Sequence, residues 1–415
     1  MKRIFAILLS LIFIIGCFAG CAPETTTEDA EPVVEENPVV EEVPVVDDET
    51  TLSVGLITLH DENSSYDRNF IIAMTDACEA AGVDLIIKTN IPEGEECYEA
   101  AMDLVDRGCD IIFADSFGHE SYMIAAAQEC PDVEFCHATG YQALIVNMDN
   151  FHNAFASIYE GRYLAGVAAG MKLNEMIASG EITPEQAKIG YIGAYPYAEV
   201  KSGYTSFFLG ARYICPEATM EVTFTNSWYD PTLEREGAVK LIDDGCVLIS
   251  EHADSMGAPT ECETNNIPFV FYNGSAADAC PNTYIVASRI DWEPYFEYMI
   301  NCVLNGEEIA TDWTGNLANG SVKMAEINEN VAAIGTAEKL DEVRAMLESG
   351  TLQVFDVSTW TVNGQHLNEY MADVDSDEAY TPDTNVIADG YFHESEYRSA
   401  PYFDISIDGI TILGD

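Results

Sequence analysis

From residue 51 onward, short apolar runs alternate with longer amphipathic stretches, and this alternation confines the chain to a parallel α/β architecture. A strand that returns to its sheet through a helix must lie parallel to its predecessor, so repeated units build a sheet covered by helices. The pattern predicts strands over Ser53 to Leu59, Val83 to Lys88, Ile111 to Ala114 and Val133 to Ala138. Helices are expected over Phe70 to Ala81 and Cys97 to Arg107. After a further helix over Phe155 to Leu173, the plan restarts. Strands are expected over Lys188 to Gly193, Thr219 to Thr225, Val247 to Ser250, Phe269 to Tyr272 and Thr283 to Ala287. Helices over Gly203 to Ile214 and Thr232 to Asp243 alternate with the first of these.

The two sets resemble each other at one junction. Leu104-Val105-Asp106-Arg107-Gly108-Cys109 leads into a strand followed by Asp115, and Leu241-Ile242-Asp243-Asp244-Gly245-Cys246 leads into a strand followed by His252 and Asp254. Each glycine stands where a left-handed helix cap is expected, a conformation that costs glycine little. Duplication into two similar lobes is the reading. Ligands in open α/β sheets bind beyond the carboxyl ends of the strands, where these acidic residues lie.

The first fifty residues have a different character. Lys2 and Arg3 precede an apolar run over Ile4 to Ile15, too short to span a bilayer and about the length of a signal core. Ala19-Gly20-Cys21-Ala22 resembles a bacterial lipobox, which makes Cys21 the expected lipidation site and residues 1–21 a lipoprotein signal peptide; Cys17 is the alternative. Residues 22–50 carry eleven acids, no Lys or Arg, and a repeated Pro-Val-Val-acid-acid unit. Proline and like-charge repulsion favour an extended tether between a membrane anchor and a domain.

Over all 415 residues the formal net charge is −55, with 48% apolar content. The apolar fraction supplies more than one core, while the charge makes nucleic acid a poor partner, because phosphate binding needs clustered Lys and Arg. Twelve cysteines are present, but neither a Cys-x-x-Cys pair nor a Cys/His cluster of zinc spacing occurs. Disulfides and buried free thiols both stay open. No nucleophile elbow, P-loop or His-Glu-x-x-His is found, so neither catalysis nor a cofactor or metal is expected.

Several ordered motifs carry a family resemblance. Phe155-Ala156-Ser157-Ile158-Tyr159-Glu160-Gly161-Arg162-Tyr163-Leu164-Ala165-Gly166 resembles the F-x-x-x-x-E-G-x-Y-L-A-G segment of the basic-membrane-protein (PnrA-like) substrate-binding lipoproteins. Phe207-Phe208-Leu209-Gly210-Ala211, Ser227-Trp228-Tyr229-Asp230-Pro231 and Tyr272-Asn273-Gly274 are similar to later family segments. The resemblance implies a type I periplasmic-binding-protein fold, two Rossmann-like lobes with parallel sheets and a hinge. Residues 51–172 with about 290–315 form the first lobe. Residues 173–289 with part of 316–415 form the second lobe and a C-terminal strap. It further implies capture of a purine base or nucleoside for ABC permease subunits at the extracytoplasmic face of the cell membrane. A sugar or other small polar solute, or a ligand-sensing role, is the alternative. The stretch Ser288-Arg289-Ile290-Asp291-Trp292 departs from the nucleoside-binding pattern, which carries a lysine there, and this puts ribose recognition in doubt.

A purine needs rings against its faces and polar groups along its edge. Tyr66, Phe117, Tyr204, Trp228 and Trp292 are the candidate stacking residues; Asp67, Asp115, His252, Asp254 and Asn273 are the candidate polar contacts. Each has a structural alternative. Trp228 and Trp292 could fill the core, Asp115 could cap a helix, His252 and Asp254 could pair with each other, and Asn273 before Gly274 could serve a turn. Glu160 is either a hinge or a cleft residue. The loop with Asp61, Glu62 and Asp67 is the nearest approach to a hydrolase site.

Overall fold

The computed structural model describes residues 52–377 and 379–414, so the signal segment, Cys21 and the acidic tether lie outside the described residues. The chain runs β1 (Ser53–Ile57), α1 (Ser65–Ala81), β2 (Asp84–Lys88), α2 (Glu95–Asp106), β3 (Ile111–Ala114), α3 (Glu120–Glu129), β4 (Glu134–Ala138), α4 (Ala143–Val146) and β5 (Phe151–Ala156). It continues through α5 (Ile158–Ser179), β6 (Lys188–Gly193), α6 (Ala198–Ile214), β7 (Thr219–Phe224), α7 (Pro231–Asp243), β8 (Leu248–His252), α8 (Gly257–Asn265), β9 (Phe269–Tyr272) and β10 (Tyr284–Ile290). Then come α9 (Glu293–Asn305), β11 (Asp312–Gly315), β12 (Val322–Met324) and α10 (Thr336–Glu348). The C-terminal segment holds β13 (Met371–Ala372), β14 (Thr384–Asn385), β15 (Ile387–Ala388), β16 (Tyr391–Phe392) and β17 (Ile410–Ile412).

These strands make two large sheets. The first is six-stranded in the order β2-β1-β3-β4-β5-β11, parallel throughout. The second is seven-stranded in the order β17-β7-β6-β8-β9-β10-β12, parallel except where β12 runs against β10. The chain crosses between the sheets three times, from β5 to α5, from β10 to α9 and from β11 to β12. Glu160 fastens two of these crossings together by accepting a 2.9 Å hydrogen bond from the Leu317 N–H. Gly108 (φ 86°) and Gly245 (φ 88°) do adopt the left-handed conformation after α2 and α7.

Several expectations are corrected. α1 begins five residues earlier than periodicity indicates, because the Ser64 hydroxyl accepts from the Asp67 N–H and nucleates the first turn. The stretch read as the start of a helix at Phe155 is the end of β5, whose polar His152 and Asn153 hide its strand character. His152 instead pairs with Glu134 at 2.8 Å, and Asn153 accepts from the Ala143 N–H at 2.8 Å. The helices α3 and α8 lack an apolar stripe and escaped prediction. α5 packs on α6 and β10, on the second sheet.

α5 and α6 cross at a small-residue seam. A Cβ on Gly166 would lie 1.9 Å from the Phe207 carbonyl oxygen, and one on Gly210 would lie 2.0 Å from the Tyr163 carbonyl oxygen. Close backbone approach is therefore the physical content of the glycines in the Leu-Ala-Gly and Leu-Gly-Ala motifs. All ten described cysteines are free, and all but Cys130 are buried. Among the described residues, no helix is long and apolar enough to cross a membrane.

The C-terminal segment has a core of its own, where Phe355 stacks on Phe403 at 4.3 Å and Trp360 meets the same ring. It reaches both sheets. Ser399 donates its N–H to Asp312 of β11 at 2.6 Å, Asp404 forms an ion pair with Lys201 of α6, and β17 extends the second sheet beyond β7.

Candidate functional site

Strand ends from the two sheets meet around one narrow cavity. Leu59, Ser116 and Thr139 follow β1, β3 and β4, while Trp228 follows β7 and His252 and Tyr272 end β8 and β9. Tyr66 and Asp67 enter from the first turn of α1, and Glu199 from the first turn of α6. The lobes are in direct contact here. The Ser65 N–H donates to the Asp254 carbonyl at 3.2 Å, and the Asn69 side chain donates to the Asn273 carbonyl at 2.8 Å. Rings also meet across the gap: Phe117 lies 5.5 Å from Tyr197, and His60 lies 5.5 Å from Tyr229. The cleft is closed.

Both sides supply aromatic surface, Tyr66 and Phe117 from the first and Trp228 and Tyr272 from the second. Trp228 is half-buried and braced edge-on by Tyr195 at 5.2 Å. His252 packs against Tyr272 with centroids 4.0 Å apart. Behind Tyr272 lies the buried Arg162, 5.2 Å from its ring. Its Nη groups donate to the Phe271 carbonyl, the Tyr191 hydroxyl and Ser250.

Carboxyl groups dominate the polar lining. Asp67 is 1% exposed, and its oxygens accept from the His60 N–H at 2.7 Å and the Ser64 hydroxyl at 2.5 Å. Burial alone would raise its pKa, but hydrogen bonds from His60 and Ser64 outweigh it and hold the carboxyl below its usual range. Burial, with Asp67 nearby, pushes Asp115 well above the usual range; burial, with Asp67 and Glu234 nearby, does the same for Asp254. Burial lowers the pKa of His252 and keeps the ring neutral, with Nε2 3.5 Å from Glu199.

Tyr66, Asp67, Phe117, Trp228, His252 and Asp254 thus all line the cavity. The other four expected residues stand behind it. Asp115 is fully buried and accepts from the Leu59 N–H at 3.1 Å; it does not cap the helix that follows. Tyr204 lies in the core beside Tyr191. Asn273 adopts φ 58°, and its Oδ1 accepts from the Ile290 N–H, so it shapes the turn after β9. Trp292 is 1% exposed and stacked on Phe70 at 4.4 Å, inside the first core. His252 faces Glu199, not Asp254. Asp61 is half-buried and Glu62 exposed, and neither lines the cavity; among the described residues, the carboxylates close enough to share a cation are Asp375, Asp377 and Asp383.

Sequence reasoning missed His60, Glu199 and Tyr272. Glu199 was hidden because α6 was expected to start at Gly203, which left it in a loop. Tyr272 directly precedes Asn273 at a strand end, so the strand-end rule that selected Asn273 was one residue from finding it.

Comparison with known proteins is consistent with this geometry. The profile of the ABC transporter substrate-binding protein PnrA-like family matches residues 58–354. A purine-binding protein of Brucella abortus is 31% identical over 321 residues, 73% of this chain and 87% of the relative. A putative ABC transporter glucose-binding protein of Haloferax volcanii is 33% identical over 239 residues, 58% of this chain and 56% of the relative. Among solved structures, an ABC transporter solute-binding protein from Aeropyrum pernix superposes with a TM-score of 0.60 at 16% identity, covering 73% of this chain and 93% of the other. One from Conexibacter woesei gives 0.58 at 19% identity, covering 73% and 98%. These two share the two-lobed α/β fold. The profile match spans well over half the sequence, and the chain belongs to the PnrA-like family of ABC transporter substrate-binding proteins.

Proposed function

We propose that the protein captures a purine base or nucleoside in the closed cleft and presents it to an ABC importer. The carrying observation is that rings from both sides, Tyr66 and Phe117 against Trp228 and Tyr272, converge on a cavity edged by carboxyls. Such a space suits a flat heterocycle whose faces are stacked and whose N–H groups are accepted at the rim. The purine-binding relative from Brucella abortus supports the same reading. In this proposal the contacts come from Tyr66, Asp67, Phe117, Trp228, His252 and Asp254, with Glu199 and Tyr272 added. Lipid attachment at Cys21 and a tether over residues 22–50 would hold the receptor at the extracytoplasmic membrane face.

Thermal shift with purine bases and nucleosides tests this directly. A ligand at about 100 times its dissociation constant stabilises the protein by roughly 2.7 kcal/mol. The absence of a shift with every purine would defeat the proposal. Glucose belongs in the same panel, because the Haloferax volcanii relative carries that description and a pyranose also stacks on Trp.

A further inference from the structure

We infer that the cavity selects ligands which present N–H donors to both lobes at once, so that among purines it takes amino-substituted ones and refuses those that become anions. This rests on the purine reading and specifies the ligand class within it. Three carboxyl-bearing residues line the space, Asp67 from the first lobe and Glu199 and Asp254 from the second, and among the described residues no Lys or Arg lines it. The buried Arg162 guanidinium stacks on the Tyr272 ring at 5.2 Å and does not line the space.

The hydroxyls around the cavity do not redress this balance. Tyr66 donates to the Asp115 carbonyl at 2.9 Å, Ser116 to Glu93 at 2.6 Å, and Thr139 to the Ala138 carbonyl at 2.6 Å. Each is already committed to the protein. The His252 ring is 2% exposed and turns Nε2 toward Glu199 at 3.5 Å, while the Tyr272 hydroxyl has no hydrogen-bond partner at the wall. The cleft therefore offers acceptors in excess.

Closure makes this excess matter. The bond from Ser65 to the Asp254 backbone brings the acids of the two lobes toward each other across the gap. Like charges facing across an interface oppose association, and donors placed between them remove the opposition. An exocyclic amine supplies such donors, joined in guanine by the neighbouring ring N–H. An enolate oxygen adds a further negative charge to a site without a cation.

Calorimetric titration of the full chain at pH 8 with adenine, guanine, xanthine and urate tests the inference. Adenine and guanine are expected to bind roughly a hundredfold or more tightly than urate and xanthine. Asp67→Asn, which removes the charge of the lining carboxyl held below its usual range, should narrow that gap at least about tenfold. If Asp67→Asn does not fold, Glu199→Gln carries the same comparison. Equal affinity for urate and adenine, or an unchanged gap in the folded variant, overturns the inference and leaves purine binding standing. No binding of any purine overturns the purine reading itself.

Discussion

Two tryptophans stand near the cleft in sequence terms, and the structure gives them opposite environments. Trp228 is half-buried at the cavity, whereas Trp292 is 1% exposed and packed among Phe70, Phe113, Phe155 and Phe296 with ring centroids 4.4 to 6.2 Å away. Removing a buried Trp leaves a cavity that costs about 3–5 kcal/mol. Unfolding entropy is about 2.1 cal/mol/K per residue. Applied across the compact unit Thr50–Asp415, that cost corresponds to a fall in Tm of about 4–6 °C for Trp292→Ala. Purine affinity per folded molecule should stay the same. Trp228→Ala should do the reverse: the empty protein melts nearly as before, while loss of one stacking face weakens binding by about 1–3 kcal/mol, roughly 5- to 150-fold. Differential scanning calorimetry and ligand titration on both variants read this out. If Trp228→Ala binds purines normally, or Trp292→Ala weakens binding without lowering Tm, the assignment is refuted.

Other outcomes follow from the same structure. Burial pushes the carboxyls of Glu160, Glu234 and Glu394 up to about 7 from 4.5. A raised carboxyl binds its proton more tightly in the folded state, so stability is full below about pH 4.5 and declines as pH rises to about 7; Glu394→Gln should flatten part of that slope in a series of melting curves. Gly210→Ala would improve helix propensity yet should lower stability by about 1–3 kcal/mol, since its Cβ meets the Tyr163 carbonyl; a stabilised variant in urea would contradict the close crossing. Among the described cysteines, Cys130 should be the one that a thiol reagent labels in the native state, because burial hides the others and pushes thiols such as Cys136 and Cys246 up to about 12. Labelling of Cys136 before unfolding would contradict that packing.

The parallel sheets were legible because their strands are continuous apolar runs bounded by glycine and acid, a local signal. Gly108 and Gly245 were legible for the same reason, since a cap is decided within a few residues. What escaped was decided at a distance. β5 was obscured by His152 and Asn153, whose partners Glu134 and Ala143 lie on neighbouring segments. β11 and β12 are three or four residues long and exist as strands only because a sheet edge awaits them. Trp292 was an attractive ring candidate by position, but burial is a property of the assembled core and local pattern does not report it. Glu199 required the correct start of α6, and helix boundaries are the weakest part of any periodicity argument.

The segment from Glu394 to Asp404 grips both halves of the molecule, through Asp312 on one side and Lys201 on the other. The family profile stops at residue 354, so this span is additional to the shared architecture. Between Ser399 and Asp404 only a few residues of backbone are available, and extended chain reaches about 3.3–3.6 Å per residue. Any swing that parts the jaws farther than that leash allows must first release one of its two ends. If the jaws part, a tail fixed at both ends limits how far they travel.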